Sequence, residues 1–258
     1  MSTLFLAWQD PTSRNWFPIG RLTFEHGVYQ FAYTHGARIA QEQVGFQLLR
    51  SFPSLNEVYE SDELFPLFAN RFPSRSRVDY EQFVEWLNMP LDRDDPVALL
   101  ARSGGRRATD TFEVFPRPER TGDGVYHIHF FAHGLRHLSE HSIERVGRLR
   151  VGEPLLLLYD FQNPHDPNAL MLRTNGEDTT DTHIVGYCPR YLVRDFLRLI
   201  VDGPSSVAVE VERLNLPPAP LAHRLLCNMT ARWPADFEAF DANNGYQPIV
   251  TDAASPPA

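Results

Sequence analysis

The sequence predicts an α+β protein: a mixed β/α domain at the N-terminus, followed by a second domain of short β-strands with one or two helices. Three observations indicate this class. Two alternating strands meet at His26 and Gly27, apolar residues recur at helical spacing over residues 79–88, and residues 125–212 hold short strands around one clear helix. Alternation with a period of two is typical of strands, whereas apolar residues at i, i+3, i+4 and i+7 are typical of a helix that packs on one face.

The N-terminal domain is predicted to cover residues 1–119. Its elements are expected, in chain order, to be three strands, two helices and a final strand, at residues 4–8, 19–24, 28–33, 79–88, 96–100 and 111–115. Pro96 is expected to open the second helix, and Gly104 to end it with a left-handed cap. Residues 116–124, rich in proline, arginine, glycine and acids, are interpreted as the linker to the next domain.

The second domain is predicted to span residues 120–235, with residues 236–258 as an acidic flexible tail. Its strands are expected at residues 125–132, 153–161, 169–173, 184–187 and 206–212. A helix that begins at Pro189 places Leu192 and Phe196 on one face. This many short strands in a stretch of this length favour a small barrel or a partly open sheet.

Charge restricts how the protein can bind nucleic acid. The formal net charge is −9, which argues against a protein that coats duplex DNA through a broad basic surface. All 24 basic residues are arginines, whose planar guanidinium binds phosphate or carboxylate through two hydrogen bonds. Residues 121–235 hold 11 arginines against 13 acids, so a local arginine-lined groove is compatible with an acidic whole.

The cellular compartment is predicted from cysteine content and hydropathy. The two cysteines, Cys188 and Cys227, are too few for a disulfide framework or a four-thiolate zinc site. The longest apolar run, residues 155–158, is far shorter than the roughly 18 residues of a membrane-spanning helix, and the first residues lack the basic flank of a secretory signal. We therefore expect a cytoplasmic protein without a membrane partner.

Three motifs of the second domain combine charge with residues that restrict the backbone. The run Asn-Pro-His-Asp-Pro-Asn-Ala occupies residues 163–169 between two strands, Gly-Leu-Arg-His precedes it at residues 134–137, and Gly-Tyr-Cys-Pro-Arg follows at residues 186–190. Prolines and asparagines favour turns in which side chains bond to the backbone. The first run is therefore either a rigid connection between strands or a functional loop.

The order and spacing of these motifs resemble the HIRAN domain. The resemblance also includes Gly-Glu-x-Leu-x-Leu at residues 152–157, and it covers about residues 124–230. It implies a modified OB-like barrel that binds single-stranded DNA at a free 3′ end. Leu138 stands where eukaryotic relatives carry a second aromatic residue, so the surface that stacks on bases is expected to be weaker or shifted.

The candidate DNA-binding residues within these motifs are Arg136, His137, Asn163, His165, Asp166, Asn168, Tyr187 and Arg190. A terminal 3′-hydroxyl donates a hydrogen bond, and an ionised carboxylate such as Asp166 accepts one. A 3′-phosphate would instead bring negative charge against that carboxylate. Arg136 and Arg190 are the candidates for contacts with the last phosphates.

The other candidates have supporting roles. His137, His165 and Tyr187 can stack on bases, a contact worth about 1–3 kcal/mol per base. Asn163 and Asn168 can hold the loop or contact the sugar. For Tyr187, a place at the edge of the barrel core is the alternative interpretation.

Residues 4–116 resemble the small N-terminal subdomain of HipA-type toxin kinases. The resemblance rests on Gly-Arg-Leu at residues 20–22, Tyr-Gln-Phe-Ala-Tyr at residues 29–33, Leu-Phe-Pro-Leu-Phe-Ala-Asn-Arg at residues 64–71 and Asp-Pro-Val-Ala-Leu-Leu at residues 95–100. It implies a fold that packs against a protein partner. Phosphoryl transfer is not carried over, because the second domain stands where that family has its kinase body.

Histidine spacing raises the question of a metal site. Histidines repeat every four residues from His129 to His141, with His127 nearby, and on a helix they would form a metal-binding stripe. Residues 126–130 alternate as a strand, however, so His127 and His129 are expected on one face and the later histidines beyond a turn. We expect no bound metal.

Catalytic patterns are also incomplete. His165 lies beside Asp166 but no serine or cysteine nucleophile motif accompanies them. The Gly-Gly-Arg-Arg run at residues 104–107 lacks the spacing and the lysine of a P-loop, which favours a helix cap followed by solvated arginines. The sequence therefore predicts a protein without enzymatic activity or cofactor.

The prediction is a protein that captures the 3′-hydroxyl end of single-stranded DNA, in DNA repair or genome defence. The alternative is a protein-interaction or antitoxin-like module, in which residues 1–119 dock a HipA-type kinase or another partner without nucleic-acid binding.

Overall fold

The computed structural model describes residues 2–92, 95–176, 181–241 and 245–250. Within these residues the strands are β1 Ser2–Gln9, β2 Trp16–Glu25, β3 Val28–Tyr33, β4 Val58–Ser61, β5 Phe112–Pro116, β6 Val125–Phe131, β7 Pro154–Tyr159, β8 Leu170–Thr174, β9 Ile184–Tyr187, β10 Ala208–Leu214 and β11 Leu225–Arg232. The α-helices are α1 His35–Val44, α2 Pro66–Ala69, α3 Tyr80–Trp86, α4 Pro96–Ser103, α5 Glu140–Val146 and α6 Arg190–Asp202. Short 3₁₀ turns lie at Leu135–His137, Pro204–Ser206 and Leu221–His223. None of these helices has the length and apolar character needed to cross a membrane.

The chain folds into two compact units that are discontinuous in sequence. The first unit takes its described residues from the ranges 1–77, 94–117 and 240–258, and the second unit from 78–93 and 118–239. These boundaries differ from the contiguous domains expected from the sequence. Two segments account for the difference.

The first of these segments contains α3, which packs within the second unit. The side-chain amide of Asn215 donates a hydrogen bond to the carbonyl of Trp86 at 2.8 Å, and Arg213 forms an ion pair with Glu85 at 2.7 Å. Sequence periodicity identified this helix correctly. Its partners lie on and just after β10, too far along the chain for a local pattern to indicate them.

The second segment begins at Phe240 and belongs to the first unit. The Phe240 ring centroid lies 5.5 Å from that of Phe5, and the Tyr246 ring lies 5.0 Å from the same phenylalanine. These contacts fix residues within the stretch for which the sequence predicts a tail. Residues 242–244 and 251–258 of that stretch lie outside the described residues.

The first unit is built on an antiparallel sheet with the strand order β4-β3-β2-β1-β5. The hairpin of β2 and β3 turns at His26 and Gly27, whose φ angles of 49° and 85° are left-handed, as the sequence predicts. Aromatic rings fill the core of the unit, where Phe31 and Phe52 stack with centroids 4.0 Å apart.

The second unit is built on a curled, antiparallel, six-stranded sheet with the order β6-β11-β10-β7-β8-β9. Its two edges meet at one point, where His133 and Tyr187 exchange backbone hydrogen bonds of 2.8 and 3.0 Å. Helix α6 packs on β6 through buried Phe196, whose ring centroid lies 5.6 Å from that of Phe130. This half-barrel agrees with the small barrel or partly open sheet that the sequence predicts.

Five elements of the described residues were not predicted from the sequence: α1, β4, α2, α5 and β11. Helix α5 has seven residues, and Ser139 caps its start by accepting a hydrogen bond from the Ser142 backbone N–H at 3.2 Å. Strand β11 lies between β6 and β10, and its consecutive residues Leu225, Leu226 and Cys227 are all buried. From Cys227 to the end of the strand apolar and polar residues nonetheless alternate, so this strand carries the period of two and was overlooked.

Candidate functional site

The run at residues 163–169 forms a loop between β7 and β8 that its own side chains hold in place. The Oδ1 atom of Asn163 accepts hydrogen bonds from the backbone N–H groups of His165 and Asp166, each at 3.0 Å. Asp166 Oδ1 accepts from the backbone N–H of Asn168 at 3.0 Å. Bonds from such side chains to the following backbone are Asx turns, which rigidify a loop. The loop is therefore held rigidly between the two strands, which is compatible with both interpretations that the sequence allows.

Asp160 links this loop to the end of β9. Its Oδ2 atom accepts from the side-chain amide of Asn163 at 2.9 Å and from the Tyr187 hydroxyl at 3.4 Å. Burial, followed by the negative charge of Asp160, raises the pKa of Tyr187. The phenol therefore keeps its proton and acts as the donor. Sequence analysis missed Asp160, although an acid directly after an apolar strand is a visible signal.

Tyr187 packs against the turn that begins at Gly134. The glycine has a φ of 75°, and a Cβ atom at this position would lie 2.7 Å from Cδ2 of Tyr187. Glycine alone accommodates both this backbone and this close approach. The packing explains why a Gly-Leu-Arg motif and a Gly-Tyr motif occur together in the sequence: their backbones meet where the edges of the sheet meet.

Asp166 and Arg190 form an ion pair, with Oδ2 of Asp166 2.6 Å from Nε of Arg190. Their side chains are 17% and 22% exposed, so the pair is partly accessible to solvent. The sequence suggests two separate contacts to DNA, whereas the structure joins the two side chains at the start of α6. A carboxylate has about four acceptor positions, so the contact with Arg190 does not exhaust Asp166.

The structure divides the candidate residues into two sets. One set is connected through the loop and Asp160, and its members are Asn163, Asp166, Asn168, Tyr187 and Arg190. The other set is solvent-exposed and consists of Arg136, His137 and His165. Arg136 donates from Nε to Nε2 of His137 at 2.9 Å. Among the described residues, no hydrogen bond or ion pair joins these two side chains to the loop.

Two aromatic residues beside the loop were not among the candidates. The Tyr159 hydroxyl lies 2.9 Å from the carbonyl oxygen of Pro167 and 2.9 Å from Oδ1 of Asn168. Its ring centroid lies 4.3 Å from that of Phe161, at an interplanar angle of 47°. Sequence analysis assigned both residues to the preceding strand, which ends at Tyr159.

A second arginine cluster lies elsewhere in the second unit. Arg145 donates from Nε and Nη2 to both carboxylate oxygens of Asp181, at 2.7–3.0 Å, and from Nη2 to Glu153. Asp181 also accepts from Thr174 at 3.0 Å and lies 3.1 Å from Nδ1 of His183. The hydrogen bonds from Arg145 lower the pKa of Asp181 below its ordinary value, and Asp181 raises the pKa of Arg145. Glu153, the acid of the Gly-Glu motif, therefore has a structural partner.

The histidines follow the arrangement that the strand pattern predicts. His127 and His129 lie on one face of β6 with ring centroids 4.6 Å apart, while His137 and His141 lie on a 3₁₀ turn and on α5. Nε2 of His129 is 3.6 Å from Oε2 of Glu212. Within the described ranges, no group of three or more histidine, cysteine or acidic side chains is placed to hold a metal ion.

The glycine pair at residues 104–105 ends α4. Gly104 has a left-handed φ of 74°, and its backbone N–H returns to the carbonyl of Leu100. Arg106 and Arg107, which follow, are exposed. The predicted helix cap is confirmed.

Comparisons with known proteins concern the second unit. Residues 125–230 match the HIRAN domain family. A crystal structure of a protein from Lactobacillus plantarum is similar at 19% identity over 42% of this chain and 99% of that chain, with a TM-score of 0.31. The crystal structure of the HIRAN domain of human HLTF is similar at 18% identity over 43% of this chain and 81% of that chain, with a TM-score of 0.29.

No curated protein matches the chain. The family match supports the HIRAN domain that the motifs indicate, over nearly the same residues. The likeness of residues 4–116 to the HipA-type subdomain stays a prediction.

Proposed function

We propose that the HIRAN domain at residues 125–230 captures the 3′-hydroxyl end of single-stranded DNA. The observation that carries this proposal is the partly exposed ion pair of Asp166 and Arg190, 2.6 Å apart, on a loop held by Asn163. The pair presents a hydrogen-bond acceptor and a cation side by side. The end of a strand presents the complementary groups, a hydroxyl donor and a phosphate anion.

In this arrangement the terminal hydroxyl donates to the Asp166 carboxylate, and Arg190 binds the last phosphodiester. A 3′-phosphate offers no hydroxyl in that position and adds negative charge. Because Arg190 offsets much of the charge of Asp166, selectivity for the hydroxyl rests more on the hydrogen bond than on charge repulsion.

Few phosphates need to be contacted for this mode of binding. Arg190 and the exposed Arg136 are the arginines of the three motifs. Two phosphate contacts to a single strand correspond to a salt dependence with a slope of about −1.4 in log K against log salt. Such a shallow dependence suits a protein with a net charge of −9, which would repel a long stretch of DNA.

The proposed role is recognition without catalysis, in DNA repair or genome defence. A cytoplasmic location and a protein partner for residues 1–119 remain predictions from the sequence. The alternative, a docking module without nucleic-acid binding, makes the opposite prediction for the experiment below.

The test is fluorescence anisotropy with decathymidylates that carry a fluorophore at the 5′ end. The strands end in a 3′-hydroxyl or a 3′-phosphate, and a blunt duplex of the same length serves as the third ligand. The proposal predicts that the hydroxyl-ended single strand binds at least tenfold more tightly than either of the others. Absence of binding to every ligand at tens of micromolar protein in low salt would favour the docking module.

A further inference from the structure

Phe161 is an aromatic side chain in an unusual environment. It is 82% exposed, and it is the only phenylalanine, tyrosine or tryptophan of the described residues in the exposed class. Single exposed aliphatic residues are common on protein surfaces. Phe161 differs from such residues in two ways. It lies two residues before Asn163, at the border of the candidate site, and another side chain packs against its ring.

That support comes from Tyr159. The two ring centroids lie 4.3 Å apart, so one side of Phe161 is backed by an aromatic neighbour. The Tyr159 hydroxyl lies 2.9 Å from the carbonyl oxygen of Pro167 and 2.9 Å from Oδ1 of Asn168, the two residues that follow Asp166 in the loop. The orientation of the aromatic pair is thereby coupled to the loop that carries the proposed acceptor.

The surroundings indicate what kind of partner the ring would accept. Gln162, Pro164 and His165, the neighbouring residues of the loop, are exposed as well. An apolar protein partner would need an extended hydrophobic patch around the ring. A flat ring among polar and charged groups instead matches an unpaired nucleobase, which stacks on its face while the sugar and phosphate remain solvated.

We propose that Phe161, backed by Tyr159, is a stacking subsite for an unpaired base next to the strand end held at Asp166. This inference rests on the proposed function and extends it to a second contact. Stacking does not depend on base identity, so the subsite would add affinity without sequence preference. It would also exclude the internal bases of a duplex, which are covered on both faces by their neighbours.

Three variants of the full chain test the inference with the hydroxyl-ended decathymidylate. Phe161→Leu keeps an apolar side chain but removes the ring, and we expect about tenfold weaker binding. Phe161→Trp keeps an aromatic face and should bind within about twofold of the unchanged protein. Val201→Ala removes an 85% exposed apolar side chain from the end of α6 and is the matched control, with no expected change.

Abasic scanning then identifies the contact. One nucleotide at a time, within four of the 3′ end, is replaced by an abasic residue. Stacking predicts one position at which the abasic change weakens binding to the unchanged protein about tenfold. At that same position, the abasic change should leave the affinity of Phe161→Leu unaltered. The salt dependence of Phe161→Leu should equal that of the unchanged protein, because no phosphate contact is lost.

The outcomes separate this inference from the proposed function. Tight binding by the unchanged protein and equal binding by Phe161→Leu would overturn the stacking subsite and leave the end-capture proposal intact. The stacking subsite would also be overturned if Phe161→Leu bound every abasic strand more weakly than the unchanged protein by the same factor. Such a uniform loss of affinity would indicate that the substitution disturbs the loop. If the unchanged protein binds no oligonucleotide, both proposals fail.

Discussion

Two arginine–aspartate pairs in the second unit have similar chemistry but different surroundings. Asp181 accepts from Arg145, Thr174 and His183 side chains, and Arg145 also binds Glu153. Asp166 accepts from Arg190 and from one backbone amide of its own loop. The pairs are almost equally exposed, with aspartate side chains at 24% and 17%.

Exposure alone therefore does not separate a structural ion pair from a candidate binding site. The degree to which hydrogen-bonding capacity is used does separate them. The carboxylate of Asp181 is engaged on both oxygens by side chains from several elements, whereas that of Asp166 keeps acceptor positions for a ligand. The comparison predicts a large effect on stability at the first pair and a large effect on binding at the second.

The largest effect on folding is expected for Arg145→Ala. The change leaves the carboxylates of Asp181 and Glu153 close together without their shared cation, which should lower the free energy of unfolding by about 2–3 kcal/mol. Urea unfolding measures this. Arg148→Ala is the control, because that side chain is 71% exposed and its pair with Glu144 should contribute less than about 0.5 kcal/mol.

Arg190→Ala completes the comparison. Its cost in stability should be about 1 kcal/mol or less, while oligonucleotide binding should fall about tenfold. Equal losses of stability for Arg145→Ala and Arg190→Ala would show that the two pairs have the same role.

An effect on folding somewhat smaller than that of Arg145→Ala is expected where the Gly134 turn covers Tyr187. Gly134→Ala introduces a Cβ atom 2.7 Å from the tyrosine ring at a φ of 75°, so it should destabilise by about 2 kcal/mol and weaken oligonucleotide binding. Gly152→Ala is matched in backbone, with a φ of 79°, but its Cβ would have no neighbour within 4 Å. It should cost about 1 kcal/mol from backbone strain alone and leave binding unchanged. If Gly134→Ala and Gly152→Ala lowered the free energy of unfolding equally, the tyrosine ring would be free to move away from the added Cβ atom.

The acid sensitivity of the fold tests the Asp181 cluster. Because Arg145 lowers the pKa of Asp181 in the folded state, this aspartate contributes stability above its unfolded value near 3.8 and loses that contribution as the pH falls. The free energy of unfolding should therefore decline from about pH 5 towards pH 3. In Asp181→Asn, which is less stable at pH 7, that decline should be shallower. An identical decline in both proteins would assign the acid sensitivity to other groups.

The smallest effect is expected for Arg194→Ala. This exposed arginine lies one helical turn after Arg190 on α6. If Arg194 contacts the phosphate next to the strand end, the variant should bind the oligonucleotide about two- to threefold more weakly. The slope of log K against log salt should then be reduced by about 0.7. Titrations at four salt concentrations measure the slope. A reduced affinity with an unchanged slope would exclude a phosphate contact by Arg194.

Sequence patterns predicted much of the fold because many elements carry a local signal. The hairpin at His26 and Gly27, the helix cap at Gly104 and strand β10 all follow from turn chemistry or alternation within a few residues. Strand β11 also carries an alternation, from Cys227 to Arg232, but its place between β6 and β10 is specified by no local pattern.

The candidate site shows the same limit at the level of side chains. The order of motifs pointed to Asn163, Asp166, Tyr187 and Arg190, which the structure brings together. The salt bridge between Asp166 and Arg190 depends on the meeting of a loop and a helix 24 residues apart, which no pattern in the sequence specifies. Residue type suggested the ligands, but only the tertiary fold determines which of them pair.

The most direct test of the central claim removes a single oxygen atom from the ligand. A decathymidylate that ends in a 2′,3′-dideoxynucleotide has the charge and nearly the shape of the hydroxyl-ended strand but cannot donate the terminal hydrogen bond. We predict that the unchanged protein binds the dideoxy strand about tenfold more weakly, as expected for a hydrogen bond to a carboxylate, and that Asp166→Ala binds both strands equally. Equal affinity of the unchanged protein for both strands, or a preference that persists in Asp166→Ala, would contradict the claim that Asp166 receives the strand end.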